Sequence, residues 1–258
     1  MMRKIVYGWM IMMGIVSSVQ AQEYIGHRGA SYLAPENTVA SAKLAWELGA
    51  DAIEIDVHLS SDHRVMVHHD HSTKRQTGVD LEISKTSSAE LRKLDAGSFK
   101  GEQYKGEKIP FLEEVIETIP EGKTLVVEIK CSNEVLPYLK EIVNASGKKD
   151  QIAFISFGWE TILATKEMFP ENKCYWLSSV VSKINSRMEE AKQHGLDGLD
   201  LNYGAINKEL MKRATKMGFE VLCWTVDDPQ VATRLGAMGV SGFTTNRPGW
   251  LKSAVDAE

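Results

Sequence analysis

The chain has few cysteines, with Cys131, Cys174 and Cys223 as the only three among 258 residues. Small domains held by disulfides carry an even number of cysteines at regular spacings, and this sequence does not fit that class. Each of the three lies in or beside an apolar run. Because free cysteine is among the most buried residue types, we predict buried free thiols.

The sequence also lacks any run of lysine and arginine. Its 30 basic and 35 acidic residues give a formal net charge of −5. Nucleic-acid-binding domains present a concentrated basic surface, so we predict no nucleic-acid partner. A chain of negative net charge can still bind an anionic small molecule where a metal ion and a few cationic side chains converge.

No apolar run reaches the roughly 20 residues that a membrane-spanning helix needs. The N-terminus has a short basic start, then an apolar stretch, then small residues up to Ala21. This order is typical of a cleaved secretory signal peptide. We therefore predict a signal peptide at residues 1–21 and no stable membrane anchor. The mature protein, residues 22–258, is expected in the periplasm or secreted.

Beyond the signal peptide, no repeat or low-complexity linker divides the chain. Short apolar runs alternate with amphipathic segments, which predicts a parallel sheet. The length suits one TIM (β/α)8 barrel, an α/β fold, as a single domain. The predicted strands are 24–25, 52–57, 125–129, 152–157, 174–177, 198–201, 219–226 and 240–244. The predicted helices are 34–48, 111–119, 133–144, 159–168, 183–194, 208–217 and 229–238.

One apolar run ends at Val57 and the next starts at Val65. The segment between them is too short for the helix that joins two parallel strands. We therefore predict an antiparallel hairpin that extends beyond the barrel rim. With a two-residue turn at 62–63, Asp56 would lie opposite His69.

A polar segment at about residues 72–108 follows this hairpin. It contains four glycines and a short helical pattern at 87–94. Long irregular segments in compact domains are commonly functional. We predict a small polar insertion that forms a wall or lid beside the site.

Three carboxylates lie at the ends of two predicted strands. Glu54 and Asp56 alternate with apolar neighbours, so both point to the inner face, and Glu128 repeats the pattern on a later strand. Three inward carboxylates repel one another and require cations. Their oxygens favour one divalent cation, Ca²⁺ or Mg²⁺. The alternative is a buried ion pair of Glu128 with Lys130 or Arg28.

Two histidines, His27 and His69, also lie where predicted strands end. Imidazoles titrate near neutral pH, so these two are candidates for the general acid and the general base. Arg28 and Lys130 are the cations that would bind a phosphate group. Trp224, near the end of a later strand, would form a flat wall for a glycerol-sized group or fill the barrel mouth.

Together these residues resemble the glycerophosphodiester phosphodiesterase family over nearly the whole mature chain. The segments that carry the resemblance are Gly26-His27-Arg28-Gly29, Pro35-Glu36-Asn37-Thr38, Glu54-Ile55-Asp56-Val57, His69-Asp70, Glu128-Ile129-Lys130 and Trp224-Thr225-Val226. The resemblance implies a TIM barrel with a divalent cation on the three carboxylates. It also implies acid–base chemistry by the two histidines. Glu36 and Asn37 are interpreted mainly as shaping the loop after the first strand.

Two segments depart from the family pattern. The family often has Asp-Gly where this chain has Asp62-His63, and Thr-Asp-x-Pro where it has Thr245-Asn246-Arg247-Pro248. The first departure affects the hairpin turn and the second affects a loop near the last strand.

The predicted function is metal-dependent hydrolysis of small-molecule glycerophosphodiesters to sn-glycerol 3-phosphate and an alcohol. One alternative is a related barrel phospholipase acting on intact lipid, which would need an apolar rim. A non-catalytic binding protein would be expected to have lost a histidine or a carboxylate. A glycosidase would leave both histidines without a role. The alcohol, the metal, the acid–base assignment and the oligomeric state stay open at this stage. The resemblance also allows attack either by water or by the glycerol 2-hydroxyl, which would give a cyclic phosphate first.

Overall fold

The barrel consists of eight parallel strands in a computed structural model that describes residues 22–257. The predicted signal peptide, residues 1–21, lies outside the described residues. A ninth strand, β3, pairs antiparallel with β2 and lies outside the ring of parallel strands. In chain order the strands are β1 (Glu23–His27), β2 (Ala52–Leu59), β3 (Val65–Val67), β4 (Thr124–Ile129), β5 (Ile152–Ser156), β6 (Cys174–Ser178), β7 (Gly198–Asn202), β8 (Glu220–Trp224) and β9 (Gly242–Thr245).

The sheet closes because β1 pairs in parallel with both β2 and β9. The ring order is β1-β9-β8-β7-β6-β5-β4-β2, which confirms the predicted TIM (β/α)8 barrel. The helices are α1 (Val39–Glu47), α2 (Lys74–Thr77), α3 (Ser88–Leu91), α4 (Leu112–Glu117), α5 (Leu136–Ala145), α6 (Trp159–Met168), α7 (Val181–Gln193), α8 (Lys208–Met217), α9 (Pro229–Gly236) and α10 (Pro248–Asp256). Among residues 22–257, none of them is long and apolar enough to cross a membrane.

Two apolar cores follow from the period of two along the strands. Outward-facing residues pack against the helices in one large cluster. Inward-facing residues fill the barrel, and these are Ile25, Ala52, Val126, Ala153, Ile155, Tyr175, Leu177 and Leu222. Cys174 and Cys223 are buried and Cys131 is partly buried, all three as free thiols, as predicted.

Helix α1 is shorter than predicted and begins at Val39 instead of residue 34. Thr38 is its N-cap, and its side chain accepts a hydrogen bond from Ser41 N at 3.1 Å. A threonine cap fixes a helix start more firmly than a proline in the preceding turn. Helix α10 was not predicted, although Pro248 at its start is a common first helical residue.

The predicted hairpin exists, but its predicted register is wrong by one residue. Val57 lies opposite Val67, and the loop between Ser60 and Arg64 has three residues instead of two. His63 adopts the left-handed conformation with φ of 60°. A type I turn followed by a left-handed residue is the usual three-residue hairpin loop.

The insertion at about 72–108 has an apolar core of its own, which the sequence did not indicate. Its buried members and their neighbours are Met66, Ile83, Leu91, Ala96 and Ile109. The insertion contacts the loop after β1 through Lys100 Nζ, 2.6 Å from Ser31 O, and Tyr104 Oη, 3.1 Å from Leu33 O. It therefore forms a wall at the carboxyl end of the barrel.

Candidate active site at the carboxyl end of the barrel

The turn after β1 requires its two glycines. A Cβ on Gly26 would lie 2.8 Å from Gly29 O, and one on Gly29 would lie 2.5 Å from Ser41 Oγ. Arg28, between them, has a φ of 54°. Left-handed non-glycine residues are uncommon and concentrate at functional sites. In this conformation Arg28 N donates a 3.0 Å hydrogen bond to Glu54 Oε2.

Asn37 and Glu36 do more than shape this loop. Asn37 Nδ2 donates to Asp56 Oδ2 at 2.8 Å, and Asp56 N donates to Asn37 Oδ1 at 3.1 Å. Glu36 pairs with Arg28 and Arg75, both at 2.8 Å. Although burial raises the pKa of Glu36, the hydrogen bond from Arg75 and the charge of Arg28 lower it to about 2. The loop therefore orients both the carboxylates and the arginine of the site.

The three predicted carboxylates come together. Asp56 on β2 is in register with Glu128 on β4, and Glu54 lies two residues earlier on β2. One oxygen from each lies within 4.8 Å of the others, and all three are buried. Burial, followed by the charges of its neighbours, raises the pKa of Glu54 well above its usual value. Burial and then Asp56 raise the pKa of Glu128 to about 7.

The side chains of Lys130 and Arg28 lie close to the three carboxylates, and their two positive charges do not balance three negative ones. Lys130 Nζ lies 3.0 Å from Glu128 Oε1 and 3.6 Å from Asp56 Oδ1, and Arg28 Nε lies 3.4 Å from Asp56 Oδ2. The ion pair of Glu128 with Lys130 therefore exists. Asp56 Oδ1 is buried without a hydrogen-bond partner among the described residues.

The donor set fits a divalent cation. Ca²⁺ binds oxygens at about 2.3–2.6 Å, so ligands on opposite sides stand about 5 Å apart. The 4.8 Å span of the three carboxylate oxygens matches that requirement. A cation here would also satisfy the unpartnered Asp56 oxygen.

His27 is oriented by the loop after β9. Its Nδ1 lies 2.8 Å from Asn246 Oδ1, and Asn246 Nδ2 donates to Asp227 Oδ2 at 2.6 Å. The amide oxygen can only accept, so His27 Nδ1 carries the proton and Nε2 is the basic nitrogen. Burial and then the charge of Arg28 lower the pKa of His27. Sequence reasoning missed Asn246 and Asp227 as contacts of this histidine.

His69 is oriented by its own neighbour. Its Nδ1 lies 2.7 Å from Asp70 Oδ1, and its Nε2 lies 3.2 Å from Lys130 Nζ. Arg75 Nε lies 2.6 Å from Asp70 Oδ2. Partial burial raises the pKa of Asp70, but the hydrogen bonds from Arg75 and His69 hold it well below its usual range. Although the hairpin register differs from the prediction, His69 reaches the site because β3 ends at Val67.

A cavity of about 90 Å³ joins these groups. Asp56 lies behind the lining, beside Glu54 and Glu128. Trp224 meets Phe157 edge to face at 5.5 Å, and its Nε1 donates to Asp200 O at 3.4 Å. The lining residues are His27, Arg28, Glu54, His69, Glu128, Lys130, Ile155, Phe157, Leu177, Asp200, Trp224 and Thr244. Seven of the eight predicted site residues are among them.

Fold and cavity together define a TIM barrel with a candidate active site, in which three buried carboxylates that could hold a cation lie at the carboxyl end of the strands. The sequence pattern of the glycerophosphoryl diester phosphodiesterase family matches residues 27–250. The chain belongs to this family and is an enzyme with glycerophosphodiester phosphodiesterase activity. The resemblance inferred from the motifs is therefore confirmed, and the non-catalytic alternative is set aside.

Individual relatives agree with this assignment. The chain is 35% identical over 233 residues to a glycerophosphodiester phosphodiesterase of Caldanaerobacter subterraneus, covering 87% of this chain and 93% of the relative. It is 27% identical to human lysophospholipase D GDPD1, covering 88% and 83%. A solved phosphodiesterase of Oleispira antarctica, in complex with the product sn-glycerol-3-phosphate, is 33% identical with a TM-score of 0.79. That comparison covers 90% of this chain and 96% of the relative.

Proposed function

We propose that the protein hydrolyses glycerophosphodiesters to sn-glycerol 3-phosphate and an alcohol, using one divalent cation and two histidines. The observation that carries this proposal is the meeting of Glu54, Asp56 and Glu128 within 4.8 Å, in a cavity lined by His27 and His69. The product-bound relative from Oleispira antarctica supports the same product.

Glu54, Asp56 and Glu128 would hold Ca²⁺ or Mg²⁺, both of which prefer oxygen ligands. When bound, the cation supplies charge stabilisation to a phosphoryl oxygen. Arg28 and Lys130 place two further positive charges at the cavity, where they stabilise the equatorial phosphoryl oxygens.

The histidines move the protons. Asn246 and Asp70 fix the Nδ1 atoms of His27 and His69, so each Nε2 is the nitrogen left for proton transfer. At His69 this nitrogen also lies 3.2 Å from Lys130 Nζ, which substrate binding would have to displace. One Nε2 takes a proton from the attacking oxygen while the other, when protonated, gives one to the departing alcohol. Trp224 offers an apolar wall for the glycerol group.

The direct test is hydrolysis of glycerophosphocholine and glycerophosphoethanolamine after treatment with EDTA, then with Ca²⁺ or Mg²⁺ restored. We expect sn-glycerol 3-phosphate only after the metal is returned. Full activity in EDTA would contradict the cation requirement. No turnover by folded protein with either metal would contradict the substrate class.

A specific observation favours lysophospholipid as a second substrate. Phe157, Val180, Val181 and Tyr203 follow the adjacent strands β5, β6 and β7, and are 47%, 44%, 42% and 39% exposed. These side chains give the barrel mouth an apolar side that a single acyl chain could contact. The name of the human relative, a lysophospholipase D, agrees with this chemistry.

Lysophosphatidylcholine hydrolysis tests this second substrate. The Phe157→Ser variant should lose activity on lysophosphatidylcholine more than on glycerophosphocholine. Leu48→Ser is the matched control, because Leu48 is also exposed but follows α1, at the opposite end of the barrel. Equal losses on both substrates would exclude an acyl-chain contact at Phe157.

We also propose that residues 1–21 are removed during export. Mass spectrometry of the protein from the periplasm or the medium should give a chain that begins at Gln22. A full-length chain in the membrane fraction would contradict this proposal.

A further inference from the structure

Asp200 is a carboxyl group inside the barrel to which neither the fold nor the proposed mechanism gives a role. Its neighbours on β7, Leu199 and Leu201, pack outward against the helices. Asp200 therefore points inward, level with Leu177 and Leu222 on the adjacent strands. Its exposed fraction is 2%, and its side chain lines the active-site cavity.

One oxygen of the Asp200 side chain is left unpaired by residues 22–257. This oxygen, Oδ1, is buried without a hydrogen bond among the described residues. Burial and, secondarily, the charge of Glu128 raise the pKa of Asp200 well above its usual value. A neutral carboxyl group offers one donor and one acceptor. A buried polar group left unpaired destabilises the protein, so a ligand that pairs with it gains affinity.

The position of Asp200 in the ring separates it from the charged groups. In the barrel order, β7 lies four strands from β2 in either direction, so Asp200 faces Glu54 and Asp56 across the cavity. Asp200 is not one of the carboxylates whose oxygens meet within 4.8 Å. The phosphate-binding cations Arg28 and Lys130 follow β1 and β4, which both adjoin β2. A substrate whose phosphate lies there would extend its uncharged part toward β7.

We infer that Asp200 positions the substrate by hydrogen bonding to a hydroxyl group of its glycerol portion. This inference rests on the proposed function and identifies a recognition element for it. Leu177 and Trp224 line the cavity beside Asp200 and would exclude water from that hydrogen bond. Enzymes that pair a buried polar group with a substrate hydroxyl discriminate strongly against analogues that lack the hydroxyl.

The experiment compares the binding of sn-glycerol 3-phosphate and propyl phosphate by calorimetry, in buffer containing Ca²⁺. Propyl phosphate has the same carbon chain without hydroxyl groups. We expect the wild-type protein to prefer sn-glycerol 3-phosphate by roughly tenfold or more. Asp200→Leu should abolish most of that preference by weakening only the glycerol ligand. Asp200→Asn, which keeps a donor and an acceptor, should restore it.

Three results would overturn the inference: an unchanged preference in Asp200→Leu, an equal weakening of both ligands, or an Asn variant that behaves like Leu. The Leu variant removes an unpaired buried group, so its melting temperature should not fall. If that variant does not fold, Asp200→Ala provides the same comparison. Because the experiment needs no turnover, selective binding without hydrolysis of glycerophosphocholine would refute only the proposed function. Turnover with an unchanged preference would refute only the role of Asp200.

Discussion

His27 and His69 are both held at Nδ1, but the charges of their partners differ. His27 faces the amide oxygen of Asn246, whereas His69 faces the carboxylate of Asp70. A carboxylate stabilises an imidazolium, and a neutral amide does so less. The groups that hold Nδ1 of the two histidines therefore differ in charge, and the proposed reaction needs one proton acceptor and one proton donor.

Replacing either histidine with alanine should lower kcat by about 10²–10⁴-fold, since each would carry a proton in the reaction. Steady-state hydrolysis of glycerophosphocholine measures the change. His194→Ala is the control, because His194 is exposed just beyond α7. Losses below tenfold at both His27 and His69 would remove them from the mechanism.

Asn246 should contribute to catalysis by orienting His27, although it lies 219 residues from His27 in the sequence. Asn246→Leu removes the acceptor that orients the imidazole, and we expect a loss on the order of 10²-fold in kcat. Asn246→Gln keeps an amide oxygen as acceptor and an amide NH₂ as donor, so it should retain more activity than Asn246→Leu. Equal kcat values for Asn246→Leu and the wild-type protein would contradict this role.

The motifs identified the eight proposed site residues because each lies at the end of an apolar run. The motifs did not indicate Asn246, Asp227 or Asp200, because the importance of these residues depends on contacts between segments that are distant in the sequence. The departure from the family pattern at Thr245–Pro248 indicated the loop that contacts the site. It did not indicate that Asn246 in this loop would contact His27.

At the scale of elements, the order of strands and helices could be read from apolar periodicity, and α6 and α8 match their predicted bounds. The hairpin register could not be read, because two-residue and three-residue loops fit the same pattern of apolar residues. The start of α1 was missed because Thr38, rather than the proline three residues earlier, caps the helix.

Strand β2 carries a pH-dependent contribution to stability at His58. Its Nε2 lies 3.1 Å from His69 O, and burial is the main cause that lowers its pKa to about 4. Below pH 6.5 the unfolded chain binds a proton that the folded protein excludes. Stability is therefore present above pH 6.5 and is lost as the pH falls through about 4.

The size of this effect is about 2 kcal/mol between pH 7 and pH 5. Urea unfolding at both values should show a smaller loss in His58→Gln than in the wild-type protein. His194→Gln, at an exposed position, should lose as much as the wild type. A loss in His58→Gln equal to that of the wild type would show that His58 is not the titrating group.

At the scale of the whole molecule, the ion pairs of the active site lie on one side of the barrel mouth, around β1, β2 and β4. The adjacent loops after β5, β6 and β7 expose apolar side chains instead.

Mutual repulsion among Glu54, Asp56 and Glu128 lowers the stability of the protein when no cation is bound. A divalent cation at 100 times its Kd should raise the free energy of unfolding by about 2.7 kcal/mol.

Thermal unfolding with EDTA and with Ca²⁺ measures this stabilisation. Burial and then Asp56 raise the pKa of Glu128 to about 7, so its charged form lowers stability at pH 8. Glu128→Gln should therefore be more stable than the wild-type protein in EDTA at pH 8, and should respond less to Ca²⁺. Glu141→Gln is the control, because Glu141 is exposed on α5. Equal responses in wild type and Glu128→Gln would place the cation elsewhere.

The ion pairs around the cavity leave the acidic side chains in excess. Five carboxylates face three cations, and the set is Glu36, Glu54, Asp56, Asp70 and Glu128 against Arg28, Arg75 and Lys130. The surplus of two negative charges equals the charge of one divalent counter-ion. Without it, protons on Glu54 and Glu128 compensate, as their raised pKa values indicate.

Cation uptake should therefore displace protons into solution, about one to two per site at pH 7. Calorimetric titration with Ca²⁺ in two buffers of different ionisation enthalpy would count them, and a buffer-independent enthalpy would contradict the expectation. A bound cation would replace these protons with a positive charge that a phosphodiester oxygen can contact directly, whereas protonated carboxyl groups offer no such charge. Metal and substrate should therefore bind in that order.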